Sequence, residues 1–479
     1  MKKIITFQDF QNAVKKNELI NFLEESSNYF FSSAKYKEAV EAEEYFRGQN
    51  RAILNLQSKI LVEYGKDLTT TIDINKYKIP TNFLKRLIIQ QSGTLLNWGL
   101  QLSNENEKKK LGFDYDTVFA NGAEKALIHG KSFYYVDSFN NRIINFPMIQ
   151  GLGGTYLFLD EKNSVARAGI RILQIDTDKP KFIELYEEDG ISIYKNNGNG
   201  FEEYSKKTFY KQRKRVISGA NENLAQLKLP IITIKANEYE DSEFLYIKHK
   251  IDAYDKINSG LIETADKVKN VYWILEEFQG TLNSAVKIIE QLQKLGIASG
   301  NGGDFKTVKP EVLNIPYQVQ EFALNILEKQ IYKDYMGYNT DEITGGSLTN
   351  VAIKTAIENH MRKVGRWERQ QVIESTRQIL LFFGIDTNNI KFRYDINFNE
   401  SEIAQILTST RDDLDLETAL SKNPIIDPDE LEMVLKRKAI EEQNQAELTF
   451  PFDQTQQSQQ PQEPSATAIN TEQKQLQGA

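Results

Sequence analysis

The chain has no cysteine. That excludes disulfides, thiol nucleophiles and thiolate metal sites, and it suits a reducing compartment. Histidine is nearly as scarce, with 3 in 479 residues. His129, His249 and His360 lie far apart, and none sits in an HExxH or His-x-His pattern, so no metal centre is expected. Long apolar runs are missing too. None approaches the roughly 20 residues that a bilayer span needs, so no membrane contact is expected. The opening stretch MKKIITFQDFQNAVKKNELI has two lysines but no uninterrupted apolar core, and it does not read as a signal peptide. An excess of positive charge is also absent. Net charge is −8, whereas proteins that grip DNA through its phosphates show a basic face. Such a chain can surround DNA without gripping it.

What is present is ample apolar material. Hydrophobic residues make up 40% and charged residues 26%, as in a globular protein with a substantial core. A length of 479 residues implies two or more domains or sub-domains.

Residues 8–66 read as helical. A second helix is expected from Asn82 to Leu96, with Thr81 or Asn82 as its cap, and a third from Asp116 to His129, stopped by Gly130. Short aromatic and β-branched runs punctuated by turn residues then predict an antiparallel, meander-like region over about 132–236. Asp241-Ser242 offers an N-cap for a helix over Glu243 to Val271. Its residues Ile247, Ile251, Tyr254, Ile257, Leu261, Ala265 and Val268 form one apolar stripe. At 1.5 Å per residue it would span on the order of 40 Å. A compact insert follows, Tyr272 to Ile315, with a short helix (Ser284 to Leu295) and a glycine-rich turn (Gly296 to Gly303). Pro316 opens a helix to Tyr335. A polar loop then leads into a long helix to about Phe383, a strand (IKFRYDINF) and a helical block to about Gln445. The last 34 residues, rich in Gln, Pro, Ser and Thr, are expected to be disordered.

Motifs that carry chemistry are imitated rather than present. Gly130-Lys131-Ser132 looks like the end of a phosphate loop. The glycine required five residues earlier is Lys125, and the triplet ends a helix and opens a strand. In Gly300 to Thr307 the second glycine is replaced by Phe305, ahead of Lys306-Thr307. Gly151 to Tyr156 puts Tyr156 where a dinucleotide fingerprint needs glycine. The acidic clusters at Asp176 to Asp178, Asp412 to Asp415 and Asp427 to Glu430 lack EF-hand spacing. The basic run Lys211 to Arg215 reads as solvated. No nucleophile–base constellation emerges, no cofactor is implied, and no enzymatic activity is expected.

Several passages resemble one family. They are KIPTNFLKRLIIQQSGTLLNWGLQL (Lys78 to Leu102), GKSFYYVD (Gly130 to Asp137), FLYIKHKIDAYDKINS (Phe244 to Ser259), SLTNVAIK (Ser347 to Lys354) and the segment Asn397 to Glu441. Together, in this order and over about residues 35–445, they resemble the portal proteins of tailed bacteriophages, in particular the SPP1-like portal family. Gly346-Ser347-Leu348 reverses that family's usual Ser-Gly.

The resemblance implies an α+β, mainly helical portal fold. It would comprise an N-terminal arm and a mixed α/β wing with antiparallel β structure (1–240), a stem helix (241–271) and a small clip insert (272–315). A returning stem helix (316–337), a tunnel loop (338–349), a long wing helix and strand (350–401), a helical crown (402–445) and a disordered tail (446–479) would complete it. It further implies a homo-oligomeric ring, typically of twelve subunits, at one capsid vertex of the virion, assembled in the host cytoplasm. Double-stranded DNA would pass through during packaging and ejection without sequence-specific binding. The large terminase, a head–tail connector or adaptor, and major capsid and scaffolding proteins would be its partners. DNA would face the loop residues Asn339, Thr340, Asp341, Glu342, Thr344, Gly345, Gly346 and Ser347, with the glycine pair as a candidate hinge. It would also face the stem lysines Lys250, Lys256, Lys267 and Lys269. The competing readings are another phage head or adaptor protein and a phosphate-loop packaging ATPase.

Overall fold

A computed structural model describes residues 4–56, 59–64, 68–73, 77–102, 104–162, 164–198, 200–210, 229–268, 272–276, 307–311, 317–340, 350–388, 390–394, 418, 420 and 431–448. The chain divides into two units, Met1–Phe398 and Asn399–Ala479.

The first unit begins with helices α1 (Phe7–Lys15), α2 (Leu19–Ser32), α3 (Ala34–Phe46) and α4 (Arg51–Leu54). Thr6 and Asp9 form a capping box at the start of α1. The expected helix over 8–66 stops at Leu54. Lys59–Tyr64 (β1) instead pairs antiparallel with Leu68–Asp73 (β2). The sequences KILVEY and LTTTID are rich in β-branched residues, which suit a pleated ribbon better than a helix.

Next come α5 (Phe83–Leu96), β3 (Leu100–Gln101), α6 (Glu105–Lys108) and α7 (Tyr115–His129). Gly130 ends α7 at φ +89°, and a Cβ there would stand 2.3 Å from the Glu240 carbonyl oxygen. The chain then enters β4 (Lys131–Asp137) and β5 (Arg142–Pro147).

The predicted β region separates into two sheets. Strands β6 (Ile149–Gln150), β7 (Gly153–Leu159), β8 (Ala166–Leu173), β9 (Lys181–Tyr186), β10 (Gly190–Asn196) and β11 (Phe201–Phe209) form an antiparallel meander in chain order. Its last pair is irregular, with register shifts between Ile191 and Tyr194. Strand β12 (Ile231–Lys235) pairs with β4 instead, giving a separate sheet of order β12-β4-β5.

Strand β4 explains how these parts join. Tyr134 and Val136 point into a helical core with residues of α3, α5 and α7. Phe133 points the other way, into a second core where α1 and α2 cover the meander. A strand buried on both faces reads as the unbroken run FYYV rather than as an alternation.

The expected long helix starting at Glu243 begins differently. Ser242 caps a short 3-10 turn, Glu243–Tyr246, by accepting from Phe244 N at 3.2 Å. The α-helix proper, α8, runs over Lys248–Val268. Its 21 residues span about 32 Å. Strands β13 (Tyr272–Glu276) and β14 (Thr307–Glu311) pair antiparallel at the base of the insert. The rest of the insert, including the expected helix Ser284 to Leu295, lies outside the described residues. Helix α9 covers Tyr317–Tyr335.

Beyond the loop, α10 (Asn350–Trp367) passes through a π turn at Glu368–Val372 into α11 (Ile373–Phe383). Gly384, at φ +67°, stops it. The expected strand IKFRYDINF is described only as β15 (Lys391–Phe392), paired with β3. In the second unit, α12 (Leu431–Leu448) reaches past Gln445, where the helical block was expected to end. The remaining tail residues lie outside the described ones.

Candidate functional site

Helices α8 and α9 form an antiparallel pair. Lys250 near the start of α8 forms an ion pair with Asp334 near the end of α9. One turn onward, Tyr254 feels the charge of Glu328, further back along α9. Both roots belong to the helical core, through Phe244, Ile247 and Ile251 on one side and Ile331, Tyr332 and Tyr335 on the other.

The body grips α8 along one face. Asp252 accepts from the Tyr45 hydroxyl at 2.5 Å and from Lys248 Nζ at 3.0 Å. Buried Asp255 accepts from Asn50 Nδ2 at 2.7 Å, from Thr81 N at 3.1 Å and from Thr81 Oγ1 at 2.6 Å. Ser259 Oγ accepts from Ile79 N at 3.1 Å. Tyr254 meets Phe83 edge-on, at 5.0 Å between ring centres. Two passages that carried the resemblance, KIPTNF and IDAYDKINS, are therefore partners in one joint. Thr81, expected to cap α5, is used on Asp255, and Asn82 makes no side-chain cap bond.

The end of α9 is held as firmly. Tyr335 donates its hydroxyl to Gln91 Oε1 at 2.8 Å. Lys363 of α10 donates to the Tyr335 carbonyl at 2.9 Å and to Glu243 Oε2 at 2.5 Å, and its Nζ lies 3.4 Å from the Tyr335 ring centre. Burial pushes the Lys363 amine down, against the pull of Glu243. His360 Nδ1 lies 3.3 Å from the Met336 carbonyl, and its Nε2 lies 3.1 Å from Thr94 Oγ1. The Thr94 hydroxyl donates to the Gln90 carbonyl at 2.7 Å, so each ring nitrogen faces an acceptor, and a neutral imidazole can donate to only one of them. Burial lowers this imidazole to about 4. Gln90 binds the Tyr338 backbone twice, Nε2 to O at 3.0 Å and N to Oε1 at 3.1 Å.

The expected wall and loop residues are distributed around this root. Lys250 is engaged with Asp334, and Lys256 is exposed. Lys267 lies within α8, and Lys269 is outside the described residues. Asn339 is half-buried and donates to Glu328 Oε1 at 3.3 Å, while Thr340 is exposed. Asp341, Glu342, Thr344, Gly345, Gly346 and Ser347 lie outside the described residues, as does Lys211 to Arg215.

The residues not anticipated are Gln90, Gln91, Thr94, His360 and Lys363. For Gln90, Gln91 and Thr94 the one sequence signal is polarity within the apolar stretch LIIQQSGTLL; His360 and Lys363 stand among other polar residues and carry none.

The decoy at Gly130 to Ser132 resolves as a structural part, while Gly300 to Lys306 and the acidic clusters at 412–415 and 427–430 lie outside the described residues. Lys125 and His129 both contact Glu43, Lys125 at 2.8 Å and His129 Nε2 at 3.0 Å. Lys131 pairs with Glu240 at 2.6 Å, and Ser132 donates to Asn145 Oδ1 at 3.0 Å. Among the described residues no cluster of His, Cys, Asp and Glu is suited to a metal. No described helix is long and apolar enough to cross a membrane.

One face of α9 exposes large apolar side chains. Val319 and Phe322 are each 65% exposed and Ile326 is 38% exposed, at helical spacings of three and four.

The chain is 26% identical over 206 residues to the portal protein of Clostridium phage phiCD119, a match covering 42% of this chain and 46% of that protein. It is 26% identical over 220 residues to the portal protein of Bacillus phage SPP1, covering 42% of this chain and 43% of that one. The chain thus spans less than half the length of these curated relatives. A solved structure described as the neck of a native GTA particle computed with C12 symmetry aligns with a TM-score of 0.34 and 8% identity, over 72% of this chain and 90% of that chain. The family model for phage portal protein, SPP1 Gp6-like, matches residues 32–447. With that match reaching from the end of α2 through helices α8, α9 and α10 into α12, the chain belongs to the SPP1 Gp6-like phage portal protein family.

Proposed function

We propose that copies of this chain close into a ring, twelve in number as is typical of the family, around a channel for double-stranded DNA at one capsid vertex. In this reading α8 and α9 line or flank the channel, and the segment after Tyr338 faces the DNA. The insert between β13 and β14 serves as the docking clip for the terminase and later for head–tail connectors. Capsid and scaffolding proteins meet the outer parts, and residues 402–445 form the crown.

The observation that carries this reading is the rooted antiparallel stem with the exposed stripe Val319, Phe322 and Ile326. A closed ring needs heterologous contacts, so each subunit must keep apolar surface for its neighbour. The acidic balance supports passage rather than capture, because DNA held by many phosphate contacts does not slide.

Negative-stain microscopy of the purified protein tests the reading. Rings with a central hole of DNA width support it, and a monodisperse monomer at micromolar concentration overturns it. The ring is also proposed to be non-enzymatic. ATP turnover by the pure protein that vanishes on substituting Lys306 would favour the packaging-motor reading instead.

A further inference from the structure

Among the described residues, the two most exposed large apolar side chains are Phe113, fully exposed, and Ile175, 94% exposed; the next, Tyr239, is 69% exposed. Single exposed apolar groups are ordinary on a protein surface. These two differ in their settings, which are both braced turns and carry opposite charge.

Phe113 follows a 3-10 turn, Lys109–Leu111, at the end of α6. Leu111 is buried in the helical core and pins the turn from within. Gly112, at φ +94°, lets the backbone lie against the β4–β5 turn, where a Cβ would stand 2.5 Å from the Asn141 carbonyl oxygen. Lys108 is spent on Asp116, at 3.1 Å. Lys109 and Lys110 are exposed and pair with no described acid, while Glu107 and Asp114, which flank this basic tip, are less exposed.

Ile175 opens the loop between β8 and β9. Gln174 Nε2 braces that loop by donating to the Thr177 and Lys179 carbonyls, at 3.4 and 3.3 Å. Lys179 N donates to Asp176 O at 3.1 Å across the same turn. Asp176 and Asp178 are exposed here, and Lys179 at the far end offsets one of the two charges.

The tips lie at opposite ends of the run β5–β6. Asn141, which touches the basic tip, precedes β5. Gly151 follows β6, and a Cβ there would stand 3.7 Å from Gln174 O, at the root of the acidic tip. The six residues of β5 alone span about 20 Å. One subunit therefore does not join its own tips, whereas head-to-tail copies present the basic tip of each to the acidic tip of the next.

We propose that residues 109–113 of one subunit dock on residues 175–178 of a second copy of this chain, with Phe113 against Ile175 and Lys109 and Lys110 against Asp176 and Asp178. The contact rests on the ring reading, and it adds a second subunit interface to the stripe on α9.

The chain has no cysteine, so crosslinking of the full-length protein reads this contact directly. Phe113→Cys with Ile175→Cys, treated with a short bismaleimide, is expected to give a ladder of covalent multimers on a denaturing gel. Each single-cysteine variant should stay monomeric on that gel, and the two co-expressed should stop at dimers. Lys109→Glu with Lys110→Glu should weaken ring assembly about tenfold at low ionic strength, as should Asp176→Lys with Asp178→Lys, and combining all four should restore it. Every substituted side chain is exposed, so thermal unfolding of the subunit should not change. Wild-type rings without the ladder, or without rescue when all four are combined, would overturn the contact and leave the ring reading standing. A wild type that stays monomeric would overturn the ring reading and the contact with it. Weakening by the lysine reversal alone would assign the basic tip to nucleic acid and would also overturn the contact.

Discussion

Lys363 Nζ lies 2.5 Å from Glu243 Oε2, joining α10 to the turn that leads into α8 across 120 positions of sequence. Both side chains are largely withdrawn from water, at 15% and 7% exposure. Removing one partner strands the other. Lys363→Met is expected to destabilise the protein by about 3 kcal/mol, and Lys363→Met with Glu243→Gln to recover at least half of that. Denaturant melts of the wild type, Lys363→Met, Glu243→Gln and the double variant measure the coupling. Additive losses would show that the pair has no mutual dependence.

His360 should make stability depend on pH. Its folded value, about 4, lies below the ordinary 6.5. Above 6.5 the ring is neutral in both states and exerts no pH effect. As pH falls from 6.5 toward 4 the unfolded chain takes up a proton that the folded chain refuses, and stability drops by about 3 kcal/mol. Buried His129 shifts in the same direction, so the wild type alone does not isolate the effect. The difference between wild type and His360→Gln does. Parallel stability curves from pH 7 to 4.5 would remove His360 as a source.

Asp255 is expected to be sensitive to truncation and tolerant of an isostere. Burial lifts its carboxyl above the usual range, so a neutral group fits the site. Asp255→Ala leaves Asn50 and both donors of Thr81 without their acceptor and should cost about 3 kcal/mol. Asp255→Asn keeps an oxygen there and should cost about 1 kcal/mol. Thermal unfolding separates the two, and equal losses would argue against the hydrogen-bonding account.

The stripe on α9 should matter to assembly and not to folding. Val319→Ser with Phe322→Ser replaces side chains that are each 65% exposed, so subunit stability should change by less than about 0.5 kcal/mol. Ring formation should be lost or weakened at least tenfold in concentration dependence. Sedimentation of the variant reads this directly, and intact rings would place the subunit interface elsewhere.

Much of this molecule was legible in its sequence, for identifiable reasons. The aromatic run around FYYV announced a strand, though not its burial on both faces, Gly130 announced the end of α7, and Ser242 announced the start of the helical segment that leads into α8. The ribbon β1–β2 was not legible, because strong helix formers precede it and two short strands carry little periodicity. The stem was read as one helix from Glu243 because its apolar spacing continues through Ile247, where the backbone passes from a 3-10 turn into α8. The root of the loop was least legible. Lys363 looks like any solvated lysine on an amphipathic helix until Glu243 and Tyr335 are folded around it. Gln90 looks like an interruption of α5 until Tyr338 arrives, 248 positions later.

The grip on α8 has a mechanical meaning. Asp252, Asp255 and Ser259 fasten the first half of a helix about 32 Å long. A sideways push on α8 would load that joint, and the hydrogen bonds to Tyr45, Asn50, Thr81 and Ile79 would share the load in shear, with α9 bracing the helix from alongside.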